Sequence, residues 1–136
     1  MFRMSIVTPE KVFYDADVKS LTAPGTEGYL GILSHHAPLI TALKPGKIEF
    51  RDAQDEVHVL AVSGGFLEVS HNIATLLADA VENASEIDIA RAQKAYDLNK
   101  QRLISAGKGE TSIDLPIIKA ALERASNRIK VYKDTH

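Results

Sequence analysis

The sequence contains no cysteine, which excludes disulfide bonds, thiolate nucleophiles and cysteine-bound metal centres. It also has no apolar run near the roughly 20 residues that are needed to span a bilayer. The N-terminal segment MFRMSIVTPEKV lacks the apolar core and the cleavage site of a signal peptide. These features fit a reducing compartment, and we expect any contact with a membrane to go through a partner.

Sequence signatures of catalysis are also missing. Gly25, Gly28 and Gly31 are spaced like a phosphate loop, but no Gly-Lys-Ser/Thr and no helix follow, so we interpret them as turn glycines. Ser63 lacks the flanks of a nucleophile elbow. Metal-ligand spacings and a supporting group of acids are absent around four histidines, which are His35, His36, His58 and His71. We therefore predict no catalytic residue and no metal site.

The charge is distributed unevenly along the 136 residues, of which 45% are hydrophobic and 25% charged, as in ordinary globular proteins. Residues 1–84 carry 6 Lys/Arg and 11 Asp/Glu, whereas residues 85–136 carry 10 Lys/Arg and 7 Asp/Glu. An acidic body with a basic tail suggests an anionic partner for the tail. Lysine-rich surface helices without such a partner would have the same composition, and charge alone is compatible with both.

The first 80 or so residues have the pattern of an all-β domain. Turn signals recur every 8–12 residues, and no helix of useful length interrupts them, which favours a sandwich or flattened barrel. Ile48 and Phe50 alternate with polar residues and should point inward. The strands are expected at residues 5–8, 12–23, 29–33, 39–43 and 47–51, and within 57–78 between turns at 63–65 and 71–72.

The side-chain pattern changes from that of strands to that of a helix from Ser85 onward. Ser85 and Asp88 resemble a capping box at the start of this helical pattern. We expect helices at about 87–105 and 114–132, capped at Asp114 and joined by a break at 107–109, to form an antiparallel hairpin. The first helix presents mainly alanine to the second helix, so their packing contributes only a few kcal/mol. A hairpin held this weakly could open. The expected stripes are Ile89, Ala92, Ala95, Tyr96 and Leu103, and Leu115, Ile118, Leu122, Ala125, Ile129 and Tyr132.

Charged residues of both signs have spacings that suit a nucleotide. Arg124 and Arg128 are four residues apart and share a helix face, as do Asp88 and Arg91, and Glu82 lies just upstream. Two guanidinium groups can bind phosphate oxygens bidentately, and carboxylates can accept from an amine or a ribose hydroxyl. The alternative is ordinary salt bridging on helix surfaces, with Asp88 and Arg91 as an ion pair, and spacing alone favours this alternative.

The chain resembles the epsilon subunits of F-type ATP synthases of the bacterial or plastid type. The matching motifs follow one another in order over nearly the whole chain, and their combination is specific although each alone is weak. They are Val7-Thr8-Pro9-Glu10, the segments 23–28, 30–33 and 36–39, Leu43-Lys44-Pro45-Gly46, AVSGGFLEV at 61–69, Leu77-Ala78-Asp79-Ala80, and IDIARA at 87–92.

This resemblance implies a sandwich of about ten strands (residues 1–84) followed by a two-helix regulatory hairpin (residues 85–136). It implies a non-catalytic central-stalk rotor subunit that couples proton flow to ATP synthesis. The sandwich would bind the gamma subunit and the c-ring, and the basic hairpin would extend toward the alpha and beta subunits to restrain ATP hydrolysis. The implied location is the cytoplasmic face of the bacterial plasma membrane or, alternatively, the stromal face of the thylakoid, with no nucleic-acid partner.

The resemblance also implies two sets of binding residues. Some members of the family bind a regulatory ATP, with or without magnesium, although no cofactor is required. One further basic position of that pattern is occupied here by Leu98. The ring-facing loop of the family often carries an acid where Tyr29 stands, so an aromatic or polar contact is expected. The matching ATP positions are Glu82, Asp88, Arg91, Arg124 and Arg128, and the c-ring contact residues are Gly28, Tyr29 and His36.

Two other classes of function remain as alternatives from the residues alone. One is a stand-alone β-sandwich that binds a ligand and dimerises through its helical hairpin. The other is a hydrolytic enzyme, which is disfavoured because no nucleophile, metal cluster or paired acids stand out in the sequence.

Overall fold

The computed structural model describes residues 1–107 and 115–136. Its contacts divide the chain into two compact units, Met1–Asn83 and Ala84–His136. The first unit holds the strands and the second holds the helices. The predicted all-β domain followed by two helices is therefore confirmed.

Nine strands lie among the described residues, compared with the ten or so that the resemblance implied. Every predicted strand is present, and the short last one had not been predicted. The strands are β1 (Phe2–Val7), β2 (Val12–Gly25), β3 (Gly28–Ile32), β4 (Leu39–Leu43), β5 (Gly46–Asp52), β6 (Val57–Val62), β7 (Gly65–Ser70), β8 (Ile73–Ala78) and β9 (Val81–Asn83).

The strands are hydrogen-bonded in the order β1-β8-β7-β4-β2-β5-β6-β9, and β3 pairs with β2. The first strand pairs antiparallel with β2 and parallel with β8, so it closes one part of the sheet on itself. The first half of the long β2 pairs with β1, and its second half pairs with β5 and β3. The register of the β2–β5 pairing shifts between Val18 and Ser20. Such an irregularity lets one strand bend between two layers.

Alternate residues of these strands build one apolar core. Ile48 and Phe50 are 0% and 2% exposed, which confirms their predicted inward orientation. The same alternation puts Met4 and Ile6 of β1 into the core and leaves Arg3 at the surface. Strands that alternate in this way, such as β1, β5 and β7, have one buried and one outer face, and these outer faces are available for function.

Two predicted turns connect the strands from β6 to β8. Gly64 and Gly65 have φ values of 124° and 142°, which favour glycine. His71 and Asn72 have φ values of 52° and 60° and form a two-residue hairpin loop, across which Ser70 pairs with Ile73. Positive φ at both loop residues matches the twist of the adjoining strands.

The helices are α1 (Ile89–Gly107) and α2 (Leu115–Thr135), and they pack against each other. Both extend two or three residues beyond their predicted ends, and Gly107 is helical rather than part of the predicted break. Residues 108, 109 and Asp114, with its predicted capping role, lie outside the described residues. The helical pattern predicted from Ser85 begins instead with a 3-10 turn at Ala84–Glu86.

The buried side of the helices agrees in part with the predicted stripes. Ala92, Ile118 and Ala125 are buried as expected. Leu115 is exposed, whereas Asn99 and Val131 are buried although neither had been assigned to a stripe. Asn99 satisfies its amide by donating from Nδ2 to the carbonyl oxygen of Ala95 at 2.8 Å.

Candidate functional site

The outer face of β4, β7 and β8 carries a group of exposed apolar side chains. Ile40, Phe66 and Leu77 are 75%, 57% and 53% exposed, and we call these three residues the apolar patch. Phe66 and Leu77 are partners across β7 and β8, and Ile40 is two residues from the β4 partner of Phe66. The patch surrounds a shallow depression of about 270 Å³ that is also lined by Leu67, Glu68 and Thr75.

The sequence alternation of β7 explains why the apolar patch is exposed. Leu67 and Val69 point into the core, so Phe66 and Glu68 must point outward. A single exposed apolar side chain is ordinary, but adjacent ones on neighbouring strands beside polar side chains are typical of an interaction site. Glu68 and Thr75 supply polar groups beside the depression. This face is therefore suited to bind another protein surface.

The three predicted ring-contact residues belong to β3 and the loop that follows it. Gly28 and Tyr29 begin β3, and His36 lies in the loop beyond the other end of that strand. Tyr29 is held in place because its hydroxyl oxygen accepts a hydrogen bond from the Lys47 backbone N–H at 3.0 Å. The ring of His36 is bound through Nδ1 to the carbonyl oxygen of Ala37 at 2.7 Å. The residues therefore form two points along the chain, the start of β3 and the loop after that strand.

The loop that holds His36 is anchored to the opposite hairpin. The backbone N–H of His35, which has a φ of 62°, donates to Oδ1 of Asn72 at 2.7 Å. The amide of Asn72 in turn donates to the carbonyl oxygen of Met1 at 3.1 Å. One side chain therefore ties the β3–β4 loop, the β7–β8 turn and the N-terminus together.

The predicted nucleotide residues on α1 have a local structural role. Oδ1 of Asp88 accepts the backbone N–H of Arg91 at 3.1 Å, so Asp88 is the N-cap of α1 and Ser85 is not. The side chains of Asp88 and Arg91 are exposed and form no ion pair with each other, so this one pair of the salt-bridging alternative is not present. Leu98 is 52% exposed and lies two turns after Arg91 on the same face. Asp88 keeps its other carboxylate oxygen available to a ligand.

The remaining predicted nucleotide residues lie on different elements. Arg124 is exposed and Arg128 is half-buried, and both belong to the same region of α2. Glu82 belongs to the first unit, where it pairs with Ala61 across β9 and β6. Four of the five predicted residues therefore belong to the helical unit and one to the sheet.

A second polar group, which sequence analysis missed, lies at the β5–β6 hairpin. Asp52, Glu56 and His58 have ligand atoms within 4.8 Å of one another. The absence of acids near the histidines was the reason to exclude a metal site, and for His58 that reason was wrong. The available signal was the spacing Asp-x-x-x-Glu-x-His across a hairpin, which becomes meaningful only once the strand register is known.

Hydrogen bonds determine the protonation of this group. Nε2 of His58 donates to Oδ2 of Asp52 at 2.8 Å, and this bond holds the pKa of Asp52 below its ordinary value. Two backbone N–H donors, from Gln54 and Glu56, lower the pKa of Asp52 further. Burial, assisted by the negative charge of Asp52, raises the pKa of the nearby Tyr14 hydroxyl. Asp52 is therefore ionised at neutral pH and Tyr14 is neutral.

None of the described helices is both long and apolar enough to cross a membrane.

Two family models together match residues 1–133 of the chain. The model described as ATP synthase, Delta/Epsilon chain, beta-sandwich domain matches residues 1–84, and that of the long alpha-helix domain matches residues 85–133. A protein of Lacticaseibacillus casei named ATP synthase epsilon chain is 39% identical over 138 residues, covering 100% of this chain and 96% of the relative. One of the same name from Desulforamulus reducens is 44% identical over 128 residues, covering 94% of each.

Solved structures share the fold at lower sequence identity. A chain of the Euglena gracilis mitochondrial ATP synthase (OSCP/F1/c-ring) matches with a TM-score of 0.78 and 20% identity, covering 98% of this chain and 80% of that one. A chain of the Tetrahymena thermophila mitochondrial ATP synthase central stalk and c-ring matches with a TM-score of 0.66 and 16% identity, covering 98% and 94%. At these identities the likeness concerns the fold alone.

Proposed function

The chain belongs to the ATP synthase delta/epsilon chain family, and we propose that it is a non-catalytic central-stalk subunit that docks on the gamma subunit through the apolar patch. Family membership rests on two models that together cover residues 1–133 and on full-length relatives named ATP synthase epsilon chain. The name of the relatives supports assembly into an ATP synthase. The identity of each partner within that complex, and the regulation, are the finer parts of the proposal.

The observation that carries the proposal is the exposure of Ile40, Phe66 and Leu77 on adjacent strands. Covering the exposed half of such side chains contributes on the order of 1 kcal/mol each. A few apolar and aromatic side chains at the centre of an interface commonly supply most of its binding free energy. The gamma subunit is the partner that the family resemblance assigns to the sandwich, and the patch offers it an apolar surface around a shallow depression.

Contact with the c-ring is proposed through the two separate points described above. Gly28 and Tyr29 present an aromatic ring at the start of β3, and His36 presents an imidazole in the following loop. Both points are anchored by hydrogen bonds to other parts of the first unit, which suits a subunit that must transmit torque. Rotation would thus couple proton flow through the ring to ATP synthesis.

The two helices are proposed to restrain ATP hydrolysis by extending toward the alpha and beta subunits. Residues 85–136 carry an excess of three positive charges, which suits an acidic surface on the beta subunits. The bacterial relatives support a location on the cytoplasmic face of the plasma membrane, and the stromal face of the thylakoid is the alternative. The membrane is reached through the c-ring.

A second candidate function is the binding of regulatory ATP by the folded helical unit. Asp88 and Arg91 are exposed at the start of α1, and Arg124 is exposed on α2. The free oxygen of Asp88 can accept from the adenine amine or the ribose, and the guanidinium groups can bind phosphates. Bound ATP would stabilise the folded pair of helices by mass action, with or without magnesium.

Reconstitution of the assembled enzyme tests the regulatory part. A chain truncated after Asn83 should still co-purify with gamma and c subunits and should raise the rate of ATP hydrolysis. Unchanged hydrolysis in a complex that contains the truncated chain would contradict an inhibitory role. A full-length chain that never assembles and forms a stable homodimer in light scattering would instead support the ligand-binding alternative.

A further inference from the structure

We propose that the β5–β6 hairpin binds a transition-metal dication, with Zn²⁺ as the representative ion, through Asp52, Glu56 and His58. Each side chain offers one ligand atom, and the three atoms lie within 4.8 Å of one another. Asp52 ends β5, Glu56 lies in the connecting turn, and His58 is the second residue of β6. The site belongs wholly to the first unit and is separate from the apolar patch.

The ligand set indicates which ion would bind. One imidazole with two carboxylates suits Zn²⁺ and related first-row dications, whereas Mg²⁺ and Ca²⁺ prefer oxygen ligands only. Three protein ligands leave at least one position of a tetrahedral ion for water. Without a thiolate, we expect an affinity in the micromolar range.

The protein already holds two of the three ligands in place. Oδ1 of Asp52 accepts the backbone N–H groups of Gln54 and Glu56, each at 2.9 Å, which leaves Oδ2 for the metal. The ring of His58 is stacked on Phe50, with centroids 4.6 Å apart and planes at 6°. Supporting bonds of this kind orient metal ligands and are worth as much as tenfold or more in affinity.

The third ligand, the carboxylate of Glu56, is not held by another group among the described residues. Glu56 is exposed, and no hydrogen bond or ion pair of its carboxylate occurs within the described parts of the chain. It therefore gives up no existing partner when it binds a cation. Loss of side-chain freedom is the main cost of recruiting it.

The metal would replace the hydrogen that Asp52 and His58 share. Nε2 of His58 and Oδ2 of Asp52 are 2.8 Å apart, whereas two ligands of a tetrahedral zinc ion are separated by roughly 3.4 Å. A small side-chain rotation provides the difference. The proton on Nε2 leaves for solvent, and a ring that begins as the neutral Nε2–H tautomer also takes up a proton at Nδ1, so that a neutral imidazole binds the metal through Nε2.

Calorimetric titration of the chelator-treated full-length chain with zinc chloride tests the proposal. One ion should bind per chain with micromolar affinity, and excess magnesium should not compete. Glu56→Gln, which alters an exposed side chain, should weaken binding about tenfold. Glu49→Gln, an exposed acid on the neighbouring β5, is the matched control and should bind as the unaltered chain does.

Cobalt(II) in place of zinc locates the site, because this paramagnetic ion broadens nearby nuclear resonances. The amide signals of Gln54 and Glu56 and the ring signals of His58 should broaden first. Broadening centred on His35 and His36, no binding at all, or equal affinity of Glu56→Gln and the unaltered chain would each overturn the proposal. The docking proposal for the apolar patch does not depend on this result.

Discussion

A β-carbon at Gly65 would lie 2.0 Å from the carbonyl oxygen of Leu77, because the two residues meet at the point where β7 begins and β8 ends. Gly65 also has a φ of 142°, which side-chain-bearing residues rarely adopt. The close approach lets Phe66, the next residue, pair with Leu77 on the outer face of the sheet. The turn and the apolar patch are therefore parts of the same local arrangement.

Gly65→Ala should strongly destabilise the protein. The substitution combines backbone strain with a collision against the backbone of Leu77, which cannot move without breaking the β7–β8 pairing. We expect a loss of at least about 3 kcal/mol in the free energy of unfolding. Urea denaturation followed by far-ultraviolet circular dichroism measures this quantity.

Gly28→Ala is the matched control for that experiment. Gly28 has a similar φ of 130°, but a β-carbon there would meet nothing within 4 Å. Gly28→Ala therefore introduces backbone strain without the collision. It should lower the free energy of unfolding by about 2 kcal/mol less than Gly65→Ala does. Equal losses for the two variants would show that the contact with Leu77 has no role.

Asp88→Ala should weaken the start of α1. The substitution removes the bond from the Arg91 amide to Oδ1 of Asp88, a cap worth about 1 kcal/mol. Hydrogen exchange at the Arg91 amide should accelerate roughly fivefold. Asp97→Ala is the control, because the carboxylate of Asp97 binds a side chain in the helix interior and no terminal amide. Acceleration by both variants would argue against capping.

Stability at alkaline pH should depend on Tyr14. Burial raises the pKa of this hydroxyl in the folded chain above its value in the unfolded chain. The stabilising contribution of the neutral phenol is thus complete below the unfolded pKa and is lost as the pH rises through the folded pKa. Between about pH 9 and 11, the unaltered chain should lose more stability than Tyr14→Phe in denaturation experiments. Equal losses of stability in the unaltered chain and in Tyr14→Phe would contradict the raised pKa of Tyr14.

Leu98→Arg should strengthen ATP binding if the helical unit binds the nucleotide as proposed. An arginine there would share a face with Arg91 and could add a charge-assisted bond to a phosphate, which is worth about tenfold in affinity. Leu98→Gln is the control, because it adds a polar side chain without a positive charge, and it should change the ATP affinity little. Arg124→Ala should abolish ATP binding. Calorimetry that detects no heat at millimolar ATP for the Leu98→Arg chain would contradict the ATP-binding proposal.

Local patterns in the sequence predict most of the fold because strand alternation and turn chemistry act over a few residues. The β7–β8 hairpin follows from alternating Leu67 and Val69 and from a two-residue turn at 71–72. The short β9 was missed since three residues carry no periodic pattern and form a strand only by pairing with β6. The start of α1 was placed too early because Ser85 and Asp88 have the spacing of a capping box, whereas the backbone N–H of Arg91 binds Oδ1 of Asp88.

The candidate sites were less predictable because they depend on contacts between distant segments. Ile40, Phe66 and Leu77 have the composition of core residues, and only the sheet topology shows that they share an uncovered outer face. The Asp52–His58 bond likewise requires the hairpin register. Gly28, Tyr29 and His36 lie in β3 and the loop after it, and their contact with the ring stays a prediction.

Binding of the purified gamma subunit to single-residue variants tests the central claim most directly. Phe66→Ser should weaken gamma binding at least tenfold in calorimetry or surface plasmon resonance while the melting temperature stays within a few degrees of the unaltered chain. Val57→Ser, a change at another half-exposed apolar residue away from the patch, should bind gamma normally. Equal gamma binding by the unaltered chain, Phe66→Ser and Val57→Ser would contradict docking through the apolar patch.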